Sequence, residues 1–474
     1  MPTNPVHFGT DGWRAIIADT FTFENVRACA RAIAEHFAEN SGTTRPLIVG
    51  YDTRFLSDHF AHEIARVLAG AGFTVQLANR PAPTPAISYR IIQTRAAGGV
   101  IVTSSHNPFN WNGIKIKPHY GGSASPEIVA DIEQRVPAIL AQPTRIQLAP
   151  ANTDTITQFD PIPDYLTALG RQVNLQRIRS AGLTIAIDPM YGAGAGLYQQ
   201  LLSGGSTTIH EIHTEPNPAF PGIRAPEPIE SNLTQILHLI RNGHYHAGIA
   251  NDGDADRVGL IDENGHYIDQ LRTFALLIHY LLGQRNLRGP IIRSITTTQM
   301  ANRLAQHYGV QCYETPVGFK YIGPLMIQTN ALIGGEESGG YGFRGHLPER
   351  DGILAGLYLL DYIAATGKTP SQLLQDVFAI TGPHYYARDD YQLQPGQRET
   401  IRTALDTATP THIAGCPVTQ TDRTDGWRIQ FQGGWLLFRL SGTEPLLRIY
   451  TEVTDEALLR PALDAGRTIA GVQP

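Results

Sequence analysis

Three acidic residues at alternating positions form the segment of this sequence that most clearly suggests chemistry. Asp252, Asp254 and Asp256 lie in the acidic loop, residues 251–257, directly after a short apolar run. Carboxylates this close repel one another unless a cation neutralises them, and an all-oxygen ligand set suits Mg²⁺. A calcium EF-hand is a competing interpretation because Glu263 falls at the twelfth position, but arginine stands at the sixth, where glycine is needed. A purely structural acidic turn is a further alternative, and we predict a metal site.

A serine-rich segment contains the candidate nucleophile. The serine loop, Thr103-Ser-Ser-His-Asn-Pro108, follows a β-branched run, and Lys115 comes shortly after it. A serine on a loop after a buried strand can be a nucleophile when a neighbour takes its proton or when it is already phosphorylated. Taken alone, such a turn is more often a hydrogen-bonded cap, and Lys115 is more often a solvated surface lysine. The loop is therefore suggestive only in combination with other signals.

Two later loops could bind a polar, anionic ligand. The glycine-rich loop, residues 334–340, offers Glu336 and Ser338 on a backbone that a ligand can approach closely, although a simple acidic turn is the plainer interpretation. The arginine loop, residues 439–445, combines an arginine with two hydroxyls and a glycine, and Arg448 follows it. This composition is typical of a phosphate cradle, although the arginines could equally be paired surface groups. The arginine loop contains no GxxxxGK[ST] pattern, which disfavours a P-loop ATPase.

The elements that must position these loops alternate between strand and helix patterns. Runs such as Leu47–Tyr51, Thr184–Asp188 and His246–Ala250 predict buried strands between helical stretches, which indicates α/β units with a mostly parallel sheet. Such sheets bind ligands at the carboxyl ends of their strands. Closely spaced strands and a last helix near the C-terminus predict an α+β unit. With 474 residues, we expect three or four domains, and the changes of pattern along the chain divide it at 1–150, 151–260, 261–380 and 381–474.

Composition narrows the class of protein. A net charge of −6 gives no reason to expect a nucleic-acid or membrane partner, so an anionic ligand must be held by local groups. The most apolar stretch, Phe274 to Leu282, is too short to span a bilayer. The three cysteines are far apart, which argues against a disulfide framework or a zinc site. We expect a cytoplasmic protein.

Five segments together resemble the α-D-phosphohexomutase superfamily, which includes phosphoglucomutase and phosphomannomutase. In chain order these segments are Gly9-Thr-Asp-Gly-Trp-Arg14, Thr103-Ser-Ser-His-Asn-Pro108, Asp252-Gly-Asp-Ala-Asp-Arg257, Gly335-Glu-Glu-Ser-Gly339 and Arg439-Leu-Ser-Gly-Thr-Glu-Pro445. Each segment is modest alone, but five in series are specific. The resemblance implies three α/β mixed-sheet domains and a C-terminal α+β domain around a central cleft.

The resemblance also implies a role for each site residue. It makes Ser105, not Ser104, the phosphoserine and a fourth metal ligand beside the three aspartates. It makes Lys115 the general base, which requires a lowered pKa, and implies that Arg14, His106 and Arg257 lie near the reacting phosphate. The remaining matched residues are expected to bind substrate, through sugar hydroxyls or through the non-reacting phosphate: Glu336, Ser338, Arg439, Ser441, Gly442, Thr443 and Arg448.

One position departs from part of the family. Gly340 stands where many bacterial phosphomannomutase and phosphoglucosamine mutase relatives have histidine, and basic residues follow at Arg344 and Arg350. This form is similar to the phosphoglucomutases, so glucose phosphate is the favoured substrate, ahead of mannose phosphate. Phosphoglucosamine remains an alternative.

The implied reaction interconverts hexose 1-phosphate and hexose 6-phosphate through a hexose 1,6-bisphosphate. The expected cofactor is Mg²⁺, with glucose 1,6-bisphosphate as activator and a monomer or weak homodimer as the assembly. A phosphatase using the same serine and metal is a different enzyme class, but the arginine loop would then have little purpose. A sugar-phosphate-binding protein is a third class, and it would not need Ser105, Lys115 and a complete aspartate triad together.

Overall fold

The architecture is that of a computed structural model, which describes residues 4–150, 153–441 and 445–472. Within these residues, strands form sheets of six, five, four and six strands in chain order. The first three sheets mix parallel and antiparallel pairs, and the last is antiparallel throughout. The predicted fold class, three α/β units followed by one α+β unit, is confirmed. In the described part of the chain, no helix has the length and apolar character needed to cross a membrane.

The first domain surrounds a six-stranded sheet whose order is β1-β5-β4-β2-β3-β6. Its central strands are apolar throughout and fully buried, as expected for parallel strands covered on both faces. The sheet extends past residue 150, because β6 pairs with β3. The elements are β1 (Trp13–Ile16), α1 (Phe23–Ser41), β2 (Leu47–Tyr51), α2 (Ser57–Gly70), β3 (Val75–Ala78), α3 (Thr84–Thr94), β4 (Gly98–Val102), β5 (Trp111–Pro118), α4 (Pro126–Leu140) and β6 (Ile156–Phe159).

The second domain has a five-stranded sheet in the order β11-β10-β9-β7-β8. Parallel pairing joins β8, β7 and β9, and the antiparallel hairpin of β9 and β10 encloses the acidic loop. This sheet also extends past residue 260, because β10 pairs with β11. The elements are α5 (Ile162–Gln172), α6 (Leu175–Ser180), β7 (Thr184–Asp188), α7 (Leu197–Leu202), β8 (Thr208–Glu211), α8 (Thr234–Arg241), β9 (Ala247–Asn251), β10 (Val258–Ile261) and β11 (Tyr267–Ile268).

The third domain has a four-stranded sheet in the order β13-β12-β14-β15. Its most apolar helix, α12, begins at an N-cap aspartate, Asp351, whose carboxylate accepts a hydrogen bond from the Leu354 amide at 2.9 Å. The elements are α9 (Gln270–His279), β12 (Ile291–Ser294), α10 (Met300–Tyr308), β13 (Cys312–Thr315), α11 (Phe319–Thr329), β14 (Ile333–Gly335), β15 (Tyr341–Phe343), α12 (Gly352–Thr366) and α13 (Pro370–Thr381).

The fourth domain is an antiparallel sheet in the order β16-β21-β20-β19-β18-β17 with two helices. The three closely spaced C-terminal strands and the last helix were all predicted from the sequence pattern. The elements are β16 (Tyr385–Gln392), α14 (Gln397–Thr407), β17 (His412–Ile413), β18 (Cys416–Asp422), β19 (Trp427–Phe431), β20 (Gly434–Leu440), β21 (Leu446–Val453) and α15 (Leu459–Ala470).

The first three domains share an apolar core that the fourth domain does not join. One continuous apolar cluster runs through the first three domains, whereas the fourth has a separate core. A small cluster that includes Ile295 and Trp435 joins the third and fourth domains. The serine loop follows β4, the acidic loop overlaps the end of β9 and the glycine-rich loop overlaps the end of β14, so all three lie at the carboxyl ends of strands that have a parallel neighbour.

Candidate active site

The acidic loop holds three buried carboxylates. Asp252, Asp254 and Asp256 are each fully buried, and one oxygen from each lies within 4.8 Å of the others. Among the described residues, the second oxygens of Asp254 and Asp256 have no hydrogen-bond partner. Buried carboxylate oxygens without a donor are costly unless a cation binds them. Because strands β9 and β10 flank the loop, the EF-hand alternative is wrong, and the donor set fits a metal ion that prefers oxygen ligands.

The three carboxylates are not equivalent electrostatically. Burial, together with repulsion from Asp256 and Asp254, raises the pKa of Asp252 well above its ordinary value. Burial also acts to raise the pKa of Asp254, but Lys115 and the Thr84 hydroxyl, which donates at 2.6 Å, outweigh it and lower that pKa. Negative charge is therefore distributed unevenly over the three carboxylates, and a bound divalent cation would favour the ionised form of all three.

Ser105 lies directly against this cluster. Its Oγ donates to Asp252 Oδ2 at 2.8 Å and lies 3.2 Å from His106 Nδ1. The residue is 1% exposed and has φ of 50°, a left-handed conformation that is uncommon for serine. Ser104, in contrast, donates to Asn107 within its own turn. Of the two serines, Ser105 is the one whose hydroxyl faces the carboxylates.

A close backbone approach makes this contact possible. A Cβ on Gly253 would lie 2.6 Å from the carbonyl oxygen of Ser105, so only glycine lets the acidic loop pass so near the serine loop. The Thr84 amide at the start of α3 donates to the Asp254 carbonyl at 2.9 Å and joins the same two domains a second time.

Arg54, which the sequence reasoning missed, holds the serine loop from behind. The buried guanidinium donates to the carbonyl oxygens of Ser105 and Asn107 at 2.6 Å each. It also donates to the carbonyls of Pro108 and Trp111 at 2.9 and 3.1 Å. A planar fork with five donors suits this array, which a lysine could not reproduce.

Asp52 supports the serine loop together with Arg54, and it too was not predicted from the sequence. Its carboxylate lies 3.3 Å from Arg54 Nε and accepts from the Thr103 hydroxyl at 2.6 Å. That hydroxyl in turn accepts from the Ser105 amide at 2.8 Å. Both Asp52 and Arg54 follow the carboxyl end of β2. Since α/β sheets bind ligands at the carboxyl ends of their strands, the predicted strand Leu47–Tyr51 was a signal that could have pointed to both residues.

Lys115 lies within the cluster, as predicted, but its electrostatics are the reverse of the expectation. Its Nζ lies 2.9 Å from Asp11, 2.8 Å from Asp254 and 2.7 Å from Asp256. Burial favours the neutral amine, yet the three carboxylates outweigh burial and raise the pKa of Lys115 above its ordinary value. The predicted lowered pKa is therefore wrong for this arrangement, because the nearest charges are anionic.

Arg350 joins loops from three domains. Its guanidinium pairs with Asp11, with Asp256 at 2.8 Å and with Glu336 at 3.4 Å. These carboxylates raise its pKa even though burial acts to lower it. A Cβ on Gly340 would lie 2.2 Å from Arg350 Cδ, so the arginine stem occupies the space beside that glycine. The spacing of the two residues along the chain does not reveal this contact.

The other two predicted cations, Arg14 and Arg257, lie near the serine loop. Arg14 donates to Asn107 Oδ1 at 2.9 Å, and Arg257 pairs with Glu227 at 3.0 Å. Burial and the nearby charges of Arg257 and Arg14 lower the pKa of His106 well below its ordinary value, which favours the neutral imidazole. The predicted catalytic residues thus lie around Ser105 and the acidic loop.

The predicted substrate-binding residues lie on the third and fourth domains. Glu336 is buried, which raises its pKa, and Ser338 is half-buried. Arg439 pairs with Asp425 at 3.0 Å and lies opposite Arg448 on the β20–β21 pair. The carbonyl of Ser441 accepts from Arg398 at 2.8 Å. Gly442 and Thr443 lie outside the described residues.

The family comparison agrees with this geometry along the whole chain. Sequence profiles described as phosphoglucomutase/phosphomannomutase alpha/beta/alpha domains I, II and III match residues 5–142, 163–265 and 269–380. The profile of the C-terminal domain of the same family matches residues 401–464.

Whole-chain relatives give the same assignment. The chain is 31% identical to a phosphoglucomutase/phosphomannomutase of Thermococcus kodakarensis, covering 97% of each chain. It is 28% identical to a phosphoglucosamine/phosphogalactosamine mutase of Sulfurisphaera tokodaii, covering 95% of each. A solved structure from Thermus thermophilus, provisionally named a phosphomannomutase, superposes with a TM-score of 0.86 at 34% identity and covers 98% of this chain and 99% of that one.

Fold, site and relatives agree on one class: the chain belongs to the α-D-phosphohexomutase superfamily, in its four-domain phosphoglucomutase/phosphomannomutase form. Its activity is that of a phosphohexomutase, an intramolecular phosphotransferase. The phosphatase and binding-protein alternatives are thereby set aside.

Proposed function

We propose that this phosphohexomutase interconverts glucose 1-phosphate and glucose 6-phosphate through a phosphoserine at Ser105 and glucose 1,6-bisphosphate. The observation that carries the proposal is the hydrogen bond from Ser105 Oγ to Asp252, inside a buried cluster of three carboxylates. A phosphoryl group on that oxygen adds about −1.5 to −2 charge at neutral pH, so it requires a cation beside these aspartates.

Mg²⁺ is the proposed metal, held by Asp252, Asp254 and Asp256 together with the phosphoserine. The oxygens of Asp254 and Asp256 that lack a hydrogen-bond partner among the described residues support an all-oxygen ligand set. When bound, the ion supplies Lewis-acid polarisation of the phosphoryl oxygens.

The protein's own groups account for the proton and charge balance of the transfer. In the transfer to the sugar, the bond between phosphorus and Ser105 Oγ breaks and a bond from phosphorus to a sugar hydroxyl oxygen forms. Lys115, which must first be the neutral amine, takes the proton of that hydroxyl, and Ser105 Oγ takes up a proton as it leaves phosphorus. In the return transfer the ammonium of Lys115, which its carboxylate neighbours favour, donates to the leaving sugar oxygen, and Ser105 Oγ gives up its proton as it bonds to phosphorus. Arg14, His106 and Arg257 surround the reacting group.

Two binding surfaces serve the other end of the substrate. Glu336 and Ser338 bind sugar hydroxyls, and the fourth domain binds the phosphate that is not reacting. Because the bisphosphate must turn over between the two transfers, both surfaces accept either sugar orientation. The residues proposed for the phosphate are Arg439, Ser441, Gly442, Thr443 and Arg448.

The preference for glucose is proposed from Gly340, which leaves room for Arg350 beside the glycine-rich loop. Mannose phosphate is the next substrate, and a glucosamine phosphate is the alternative that the relative from Sulfurisphaera tokodaii favours. We also propose a cytoplasmic enzyme, active as a monomer or weak homodimer.

One assay tests the substrate and the intermediate together. The purified protein is incubated with glucose 1-phosphate, Mg²⁺ and trace glucose 1,6-bisphosphate, while glucose 6-phosphate and inorganic phosphate are followed. We expect glucose 6-phosphate without matching phosphate release, and slower turnover of mannose and glucosamine phosphates. Faster turnover of either competitor would overturn the glucose preference, and activity that is independent of the bisphosphate after dephosphorylation would overturn the intermediate.

A further inference from the structure

Glu337 lies between the two proposed sugar-binding residues, but its carboxylate contacts a different domain. Its Oε1 accepts a hydrogen bond from the Tyr386 hydroxyl at 2.6 Å and from Arg388 Nη1 at 3.1 Å. Both partners belong to β16 of the fourth domain, and the Glu337 side chain is only 15% exposed. The middle residue of the glycine-rich loop is therefore held by the fourth domain.

The contact continues toward the proposed phosphate-binding arginines. Arg388 Nε lies 2.9 Å from Asp390 Oδ1, and Asp390 Oδ2 lies 3.8 Å from Arg448 Nε. Asp390 and Arg448 are direct partners on the β16–β21 pair. Charges thus alternate from Glu337 through Arg388 and Asp390 to Arg448.

The electrostatic surroundings strengthen the contact of Glu337 with Arg388 and Tyr386. Among the influences on Arg388, the charge of Glu337 is the largest, and it raises the pKa of the guanidinium. Burial and the same carboxylate raise the pKa of Tyr386 well above its ordinary value, so the phenol stays protonated and donates. Arg388 also lies 6.0 Å from the ring centre of Tyr450, whose strand carries Arg448.

We propose that Glu337 is a positioning residue that sets the distance between the glycine-rich loop and the phosphate-binding face of the fourth domain. The proposal rests on the function proposed above, in which Glu336 and Ser338 bind hydroxyls while Arg448 binds the distal phosphate. A hexose bisphosphate spans both surfaces, so the spacing between them decides whether the intermediate stays bound while it turns over. Glu337 touches neither the sugar nor the phosphate in this role.

The test is a double-mutant cycle with Glu337→Gln, Arg388→Gln and the pair combined, together with Tyr386→Phe. For Glu337→Gln we expect KM for glucose 1-phosphate to rise roughly tenfold, the usual scale for losing a charge-assisted hydrogen bond, with a smaller change in kcat. Release of free bisphosphate per turnover should increase. The double variant should be no worse than the poorer single variant, because both changes break the same contact.

Glu215→Gln, at an exposed carboxylate of the second domain, is the matched control and should behave as the wild type.

Hydrogen exchange gives a second measurement that does not depend on turnover. Exchange at residues 336–340 and 385–392 should increase together in Glu337→Gln, with an unchanged thermal midpoint. Unchanged KM and bisphosphate release in an otherwise active Glu337→Gln enzyme would overturn the inference, as would strictly additive effects in the cycle. If the wild type itself lacks glucose phosphate turnover, the substrate proposal fails, and coupled exchange at the two segments still tests the link.

Discussion

The site loops of the first three domains and those of the fourth domain are held in different ways. Around Ser105, charged groups are buried and joined directly across domain boundaries, for instance Lys115 to Asp254 and Arg350 to Asp11. These loops also rest on one continuous apolar core. The fourth domain has its own core and reaches the third through a small apolar cluster and ion pairs such as Arg428 to Glu314, at 2.7 Å.

This difference separates two tasks. Phosphoryl transfer needs reacting groups held within fractions of an ångström, which a shared core and buried ion pairs provide. In the proposed mechanism the bound sugar must also turn over, which needs a surface that can loosen and close again, and a separate core with a polar interface allows this.

The largest effect is expected at Ser105, among the buried charges of the first two domains. Ser105→Ala should abolish mutase turnover, with a loss of at least about a thousandfold, because no other oxygen can carry the phosphoryl group. Intact-mass measurement should show no phosphoprotein. Ser104→Ala is the matched control and should keep most activity, because its hydroxyl bonds within its own turn. The reverse ranking of the two variants would contradict the assignment.

The next largest effect concerns the metal. Asp256→Asn replaces an acceptor that faces Lys115 and Arg350 with a group that also donates, and removes one proposed ligand charge. We expect Mg²⁺ activation to require concentrations higher by on the order of a hundredfold. A magnesium titration of turnover, paired with calorimetric binding, measures this. An unchanged magnesium midpoint would show that Asp256 is not a ligand.

Arg54→Lys should have an intermediate effect on the same half. Lysine retains the charge but cannot donate to four carbonyl oxygens as a planar fork, so the serine loop should shift. We expect kcat to fall by roughly tenfold to a hundredfold with little change in KM, since misplacement of reacting groups acts on the chemical step. Arg45→Lys, at an exposed position, is the control. An equal loss of thermal stability and activity, with KM rising instead, would indicate a purely structural role.

The smallest effect is expected at the interface between the third and fourth domains. His384 is buried beside a cavity of about 110 Å³ between the third and fourth domains, and burial lowers its pKa to about 4. Between pH 6.5 and 4 the imidazole of His384 is protonated in the unfolded chain and neutral in the folded chain. The contribution of His384 to the free energy of unfolding is therefore fully present above pH 6.5 and falls by up to about 3 kcal/mol as the pH drops to 4.

Glu452, on the same cavity, has a raised pKa and acts in the opposite direction, so a difference measurement is needed. We expect the stability of the wild type and His384→Gln, measured by denaturant unfolding, to diverge between pH 6.5 and 4. Parallel pH profiles for the two proteins would contradict a buried, neutral His384.

Much of the site could be predicted because it follows a local rule. The serine, acidic and glycine-rich loops each lie at the end of a short apolar strand, and strand patterns such as Leu47–Tyr51 are visible in the sequence. Arg54 follows the same rule, yet a single arginine after a strand has no distinctive spacing, and its four carbonyl partners are backbone groups that any residue supplies.

The sequence by itself determined the α/β rhythm and the acidic triad, because apolar periodicity and the repulsion of neighbouring carboxylates are local properties, whereas Ser105 was selected through the resemblance to a family. Only the tertiary structure decided the environment of each charge. Lys115 was expected to have a lowered pKa, but it lies among carboxylates that raise it, and Arg350 meets Asp11 across 339 positions of the chain. Likewise, only the fold shows that Glu337 of the glycine-rich loop contacts β16 of the fourth domain. Electrostatic interactions depend on distance in space and on burial, and neither quantity can be read from the spacing of residues along the chain.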